Sequence, residues 1–201
     1  MPQLNLGILS SHRGTNLQAI IDACRQGHIE ANCCVVISNN SKSGALERAT
    51  ESGIPSYHLS GDTHRPPSNL DGTIRDVLEK HKVNLVVLAG YMKLLGPLTI
   101  SHFRNRILNI HPGLLPRFGG KGMYGDNVHR AVLESGQKIT GVTIHLVAEE
   151  YDLGSIIAQT KIAISPGECI ESLKARVLEL EHELYVDTLS KIATGYIQLP
   201  T

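Results

Sequence analysis

The sequence predicts an α/β fold: a single domain on a doubly wound, mostly parallel sheet, closed by antiparallel C-terminal strands and a long C-terminal helix. Three observations carry this. Short apolar runs alternate with helically spaced apolar residues from residue 4 to residue 110. Asn84-Leu-Val-Val-Leu-Ala89 is an almost unbroken apolar run, as expected for a central parallel strand buried on both faces. Beyond residue 138, two strand-like runs flank a short acidic loop, and a helical pattern follows through Leu173, Val177, Leu180, Leu184 and Leu189.

Leu4 to Ser10 reads as a short buried strand. The polar loop Ser10-Ser-His-Arg-Gly-Thr-Asn16 follows, and Leu17 to Cys24 has helical spacing. At such a junction the first N–H groups of the helix lack intrahelical partners and the helix dipole favours an anion. Gly14 permits close backbone approach, and Thr15 or Asn16 can cap the helix. The same residues read equally well as an ordinary capped turn. Asn32 to Ser38 is a second strand, 44–52 a helix, and Gly53 to His58 leads into a third strand. Residues 61–67 form a polar loop and 70–80 an amphipathic helix. Tyr91 to Leu95 leaves the fourth strand with unusual apolar weight for a loop, and Gly96-Pro97 opens a helix that runs to Phe103.

Next comes Ile107-Leu-Asn-Ile-His-Pro-Gly-Leu-Leu-Pro116. On an extended backbone Asn109 and His111 point to the same side, and Pro112 ends regular pairing just beyond the imidazole. An amide can hold an oxyanion and an imidazole can move a proton, so the pair suits carbonyl chemistry. It is equally compatible with two satisfied polar groups beside a turn. In doubly wound sheets ligands bind beyond the carboxyl ends of the strands, where the Ser10–Asn16 loop, the Tyr91–Leu95 loop and His111 all fall. Gly120, Gly122 and Gly125 spell G-x-G-x-x-G, but a proline-bearing loop precedes them rather than a strand, so a lid or site wall is expected there, not a dinucleotide cradle. Residues 128–135 are helical, and 139–147 and 155–164 are strands. The loop between those strands, Ala148-Glu-Glu-Tyr-Asp-Leu-Gly154, offers Glu149, Glu150 or Asp152 as a carboxylate to orient the imidazole.

Composition bounds the function. The chain has 201 residues, 41% of them hydrophobic, and 19 basic residues balance 19 acidic ones. That balance makes no electrostatic case for a nucleic-acid or membrane partner. No apolar run reaches bilayer-spanning length, and no signal-peptide pattern opens the chain, so a soluble cytoplasmic protein is expected. Cys24, Cys33, Cys34 and Cys169 form no C-x-x-C pair, and neighbouring Cys33 and Cys34 are poorly spaced for a bridge, which implies free thiols. No metal site is expected.

Asn109-Ile-His-Pro-Gly-Leu-Leu-Pro116 resembles the signature of folate-dependent formyltransferases, and His145 to Gly154 resembles their second signature, whose last acid falls on Asp152. Ser10 to Leu17, with Gly14-Thr15-Asn16, resembles the phosphate loop of the branch acting on glycinamide ribonucleotide, and Leu88 to Leu95 its folate loop. The likeness runs nearly end to end. It implies a Rossmann-like formyltransferase fold over 1–201, with residues 1–100 binding phosphate and 101–201 carrying catalysis and folate binding. It implies transfer of the formyl group of 10-formyltetrahydrofolate, as co-substrate, to the amine of glycinamide ribonucleotide in purine synthesis, by a monomer or homodimer.

The resemblance also assigns roles. Gly14, Thr15, Asn16 and Glu181 would bind the ribonucleotide. Met92, Lys93, Leu94, Leu95 and Asn109 would bind folate, with Ala148, Glu149, Glu150, Tyr151 and Asp152. Asn109 would hold the oxyanion, His111 would donate a proton, and Asp152 would orient His111 and raise its pKa. Gly113 replaces the family's usual Ser or Ala, which should loosen the turn. The family's phosphate-contacting Arg falls near Pro67, with Arg65 as a substitute and Arg13 as a further phosphate contact. Lys93 stands where Arg is frequent. The alternatives are formyltetrahydrofolate hydrolase, methionyl-tRNA formyltransferase, a sugar-nucleotide N-formyltransferase and a non-catalytic folate-binding module. The first usually has an extra N-terminal regulatory domain and the second needs a C-terminal tRNA-binding domain.

Overall fold

A computed structural model describes residues 3–200, except for the side chains of residues 67 and 68. Its elements in chain order are β1 (Leu4–Leu9), α1 (Thr15–Arg25), β2 (Ala31–Ser38), α2 (Gly44–Glu51), β3 (Ser56–His58), α3 (Pro67–Lys80), β4 (Leu85–Leu88), α4 (Pro97–His102), β5 (Ile107–His111), α5 (Asp126–Glu134), β6 (Ile139–Leu146), β7 (Ile156–Ala163) and α6 (Ile170–Ala193). The seven strands form one sheet in the order β3-β2-β1-β4-β5-β6-β7. Pairing is parallel from β3 to β5, while β6 and β7 are antiparallel additions. The expected doubly wound sheet, antiparallel ending and long last helix are all present, and each expected element lies within a few residues of its observed bounds.

The sheet separates two apolar layers. Ile8, Val36, Val87, Leu108 and Ile144 face α1, α5 and α6. Leu9, Val35, Val86 and Ile107 face α3 and α4, through Ile74, Leu78 and Phe103. This alternation along β1, β2, β4 and β5 is the period-two geometry of a strand buried on both sides. Burial of these aliphatic side chains, each worth about 1.5–3 kcal/mol, is the main force holding the layers together. Asp71 tethers α4 to α3: its carboxylate accepts from the backbone N–H groups of Leu98 and Thr99 and from the Thr99 hydroxyl. Tyr185 ties α6 to the sheet by donating its hydroxyl to the Leu88 carbonyl at 2.8 Å, at the end of β4.

Coverage is uneven. The α3/α4 layer spans β1, β2 and β4 but brings no helix over β6 and β7. On that open half lie the side chains that alternate with Leu108 and Ile110, namely Asn109 and His111. Among the described residues no helix is long and apolar enough to cross a membrane.

The β6–β7 pair is close-set. A Cβ at Gly141 would lie 2.0 Å from the Thr160 carbonyl oxygen and 2.6 Å from Leu114 Cδ2. Gly141→Ala must therefore push the two strands apart, and should cost about 1–3 kcal/mol, read as a lower midpoint in urea unfolding at unchanged m-value.

Candidate active site

The register of β5 against β6 builds the site. Asn109 is paired with His145 and His111 with Thr143 across an antiparallel ladder, so Asn109, His111 and His145 share one face. The chain leaves β6 beside the start of β5, where the Val147 N–H donates to the Ile107 carbonyl. The 147–155 loop then reaches back over this face and sets Asp152 between the two imidazoles. Its Oδ2 is 3.6 Å from His111 Nδ1 and its Oδ1 is 3.4 Å from His145 Nε2. Asp152 adopts φ 56°, a left-handed conformation that Asp and Asn tolerate better than most residues. Glu149 and Glu150 are exposed. Of the three carboxylates open to choice from sequence, Asp152 is the one brought to His111.

Partners fix the ring orientations. The Phe118 carbonyl can only accept, so His111 Nε2–H donates to it at 2.8 Å and Nδ1 is left facing Asp152. By the same logic His145 Nδ1–H donates to the Leu146 carbonyl at 2.9 Å. His145 Nε2 then accepts from the Asn109 amide at 3.1 Å. His145 was not singled out from sequence. It completes an unbroken line of polar contacts, Asn109–His145–Asp152–His111. The signal that reveals it is the strand register, since His145 stands directly opposite Asn109.

The glycine-rich segment serves as a site wall. Gly120 N–H donates to Asp152 Oδ2 at 2.9 Å, and Phe118 supplies the carbonyl on His111. The turn after His111 is locked rather than loosened. Thr143 donates its hydroxyl to the Gly113 carbonyl at 2.7 Å and accepts from Leu115 N–H, and Gln159 donates to both Thr143 and Leu115. Gly113 instead makes room: a Cβ there would stand 3.2 Å from His111 Nε2 and 3.1 Å from Val128. The expectation of a loosened turn is thus corrected, because the turn is held from β6 and β7.

The electrostatics has the upward pull expected of Asp152 on His111, with burial set against it. Burial of the His111 ring, only 3% exposed, lowers its pKa below the ordinary value. Asp152 and the Phe118 carbonyl pull it upward, and desolvation outweighs them. For Asp152, burial works to raise the carboxyl. The His145 ring, which can donate from Nε2 only when protonated, the Gly120 N–H and the charge of His111 more than offset that and leave it below its usual range.

The loops at the carboxyl ends of β1, β2 and β4 meet on Ser11. Its hydroxyl donates to Asn39 Oδ1 at 2.5 Å and accepts from Met92 N–H at 2.7 Å, and its own N–H donates to the Gly90 carbonyl. Beside it opens a cleft of about 450 Å³ whose walls include His12, Asn40, Ser60, Met92 and Lys93. Ser11 and Asn39 were not anticipated as loop fasteners.

Gly14 is the N-cap of α1 at φ 70°, and a Cβ there would meet Ala45 Cα at 2.8 Å. No side chain caps this helix, contrary to the expectation for Thr15 or Asn16. Thr15 is already helical. Asn16 is helical as well and donates its amide NH2 to Glu181 Oε2 at 2.7 Å, and the first-turn N–H groups have no side-chain cap. Asn16 and Glu181, 165 residues apart, thus form one unit. Burial raises the Glu181 carboxyl to about 7, against the Asn16 hydrogen bond. Arg13 is exposed, its carbonyl accepting from Arg48 Nε–H. Arg65 pairs with Asp62 at 3.1 Å on the surface. The side chain at position 67 lies outside the described residues.

Exposed apolar side chains flank the site on two loops: Met92 (43% exposed) and Leu94 (52%) on one, Tyr151 (50%) and Leu153 (66%) on the other. Leu95 is buried, while Lys93 is exposed and Ala148 half-buried. Such loops can bind a flat apolar ring system, beside polar groups suited to proton transfer and oxyanion binding. The arrangement is a candidate site for proton-coupled chemistry on the helix-free face of a doubly wound sheet.

The chain belongs to the formyl transferase family, whose model matches residues 4–189. It is 42% identical to the chloroplastic phosphoribosylglycinamide formyltransferase of Arabidopsis thaliana, over 96% of this chain and 66% of that protein. It is 39% identical to the phosphoribosylglycinamide formyltransferase of Haemophilus influenzae, over 96% of this chain and 89% of that one. The chain thus spans just under two thirds of the Arabidopsis relative's length and most of the Haemophilus one. The crystal structure of glycinamide ribonucleotide transformylase 1 from Symbiobacterium toebii superposes with a TM-score of 0.92 at 37% identity, covering 100% of this chain and 92% of that one.

The electrostatic balance at His111 is testable by NMR titration of its ring. Its midpoint should lie below that of an ordinary histidine. Asp152→Asn keeps a side chain compatible with the left-handed backbone but removes the charge that favours imidazolium, so the midpoint should fall further. A rise in the variant would contradict the assigned contact.

Proposed function

We propose that this protein transfers the formyl group of 10-formyltetrahydrofolate to the amine of glycinamide ribonucleotide, in purine biosynthesis. The observation that carries the reading is the convergence of Asn109, His111 and Asp152 on one open sheet face. Family membership and the printed names of the relatives support the choice of reaction.

In this reading the ribose phosphate rests on the backbone amides of Gly14, Thr15 and Asn16. Both the uncapped helix start and the close, left-handed Gly14 support that seat. Glu181, held by Asn16, lies within reach of the same substrate. The pterin lies against Met92 to Leu95 and the Ala148–Asp152 loop, whose exposed apolar side chains suit a flat ring. Residues 1–100 supply the phosphate seat and residues 101–201 the reacting groups.

The substrate amine attacks the formyl carbon as its free base. Asn109 uses one amide N–H on His145 and keeps a second for the developing oxyanion. The attacking nitrogen becomes positively charged and must lose a proton, while the folate nitrogen must gain one to leave. Burial keeps His111 mostly neutral near pH 7, able to accept that proton. Nδ1 stands beyond hydrogen-bond distance of Asp152, so it is not saturated by a direct bond. Once protonated, the ring is stabilised by Asp152 and can deliver the proton to the leaving nitrogen. His111 is thus a proton carrier between two nitrogens, and the role of Asp152 is to hold its charged form.

Asn109→Ala should lower kcat by about 10²–10³, the scale of one oxyanion donor, and His111→Ala by about 10²–10⁴, the scale of general acid–base catalysis. A spectroscopic assay of tetrahydrofolate release, run with and without glycinamide ribonucleotide, measures both. Release that does not require the ribonucleotide would instead indicate a hydrolase. Gly14→Ala should raise KM for the ribonucleotide more than it lowers kcat, because its Cβ presses on Ala45 and shifts the phosphate seat. An unchanged KM would remove Gly14 from that seat.

A further inference from the structure

Away from the site, at the amino-terminal edge of the sheet, two thiols face each other. Cys24 sits in the last turn of α1 and Cys33 near the start of β2. Their sulfurs are 3.9 Å apart, with Cys33 Sγ–H directed at Cys24 Sγ. Cys34, the next residue, points through the sheet: Cys33 packs into the α1/α6 layer and Cys34 against the α3/α4 layer. The adjacency that made a Cys33–Cys34 bridge implausible is thus what aims Cys33 at a different partner. Both Cys24 and Cys33 are partly exposed. Cys24 lines an open cleft of about 800 Å³ formed with Gly27, Ile29, Glu30 and the end of α6, which brings small solutes up to this residue, whereas Cys33 is not among the lining residues.

We propose that Cys24 and Cys33 form a reversible dithiol–disulfide couple, oxidised by a small peroxide. The Cys24 thiolate attacks one peroxide oxygen: the S–O bond forms, the O–O bond breaks, and hydroxide leaves to be protonated to water. Cys24 is then a sulfenic acid. The Cys33 sulfur attacks Cys24 sulfur, the S–S bond forms, and the S–O bond breaks. The departing hydroxide takes the Cys33 proton and leaves as water. The two thiols lose two electrons and two protons in total, and one peroxide becomes two waters. An external thiol reverses the step by exchange.

The geometry assigns the order. The Cys33 S–H points at Cys24 and stabilises its thiolate, which lowers the Cys24 pKa, while the same contact and burial raise that of Cys33. Cys24 is also the residue of the pair that lines the cleft, so it is oxidised first and Cys33 resolves it. Forming a bond of about 2 Å requires the two sulfurs, now 3.9 Å apart, to approach by about 2 Å at a helix end.

The test is to treat the reduced, folded full-length chain with hydrogen peroxide, alkylate the remaining thiols, and map peptides by mass spectrometry without reduction. The expected result is the loss of two hydrogens in a Cys24–Cys33 cross-linked peptide, with Cys34 and Cys169 still alkylated and dithiothreitol restoring both thiols. In Cys33→Ser, checked for folding by thermal melt, Cys24 should accumulate as a sulfenic acid trapped by dimedone. The proposal is overturned if wild-type Cys24 and Cys33 both stay alkylatable. It is overturned equally if Cys24 bridges another cysteine or passes to sulfinic acid without a cross-link.

Discussion

The Asp152 carboxylate is the group on which the candidate site depends. Its side chain contacts both imidazoles and the glycine-rich wall, and so joins the 111–120 segment to His145 on the neighbouring strand. A carboxylate this far from water is costly unless its oxygens are matched by donors or positive charge. Here Gly120 N–H supplies a permanent donor, and the two rings supply charge only when protonated. The loop that carries Asp152 is therefore held by the groups whose protonation it favours. Without it, the Phe118 carbonyl would be left by itself to offset the burial that penalises the charged form of His111.

That dependence explains why His111 is balanced as it is. A ring with free access to water would be equally available to every proton donor in the solvent. In the proposed role, burial favours a neutral resting state, while Asp152 limits the cost of the charged state that proton transfer would require. The two effects oppose each other on one nitrogen pair, and Phe118 fixes which nitrogen faces the acid. The sheet register places Asn109 beside this apparatus without sharing its acid, since Asn109 reaches Asp152 only through His145.

Periodicity made the elements legible because each is a local property of a few residues. Asn109 and His111 were readable as a same-face pair for that reason, and Asp152 was singled out by its likeness to a known signature. His145 was not visible, because its importance lies in being opposite Asn109, and a single strand carries no record of its partner's register. The capping expectation for Asn16 failed because α1 starts at Thr15, earlier than the apolar spacing from Leu17 suggests: Gly14 is the N-cap, Asn16 already lies in the first turn, and its amide NH2 donates to Glu181 of the last helix. The upward pull of Asp152 on His111 was legible because a charged neighbour can be read from sequence, whereas the degree of burial that outweighs it cannot.

The antiparallel strands matter for more than sheet size. A parallel strand would need a crossover connection, which normally places a helix on one face of the sheet. β6 and β7 join through a short loop and add no such helix, so the face carrying Asn109, His111 and His145 has no helix laid across it. The same connection carries Asp152, which returns over that face instead of continuing away from the sheet. Switching the pairing direction at β5 thus both uncovers the polar face and delivers the acid to it. A doubly wound sheet continued in parallel would have buried these side chains beneath a helix.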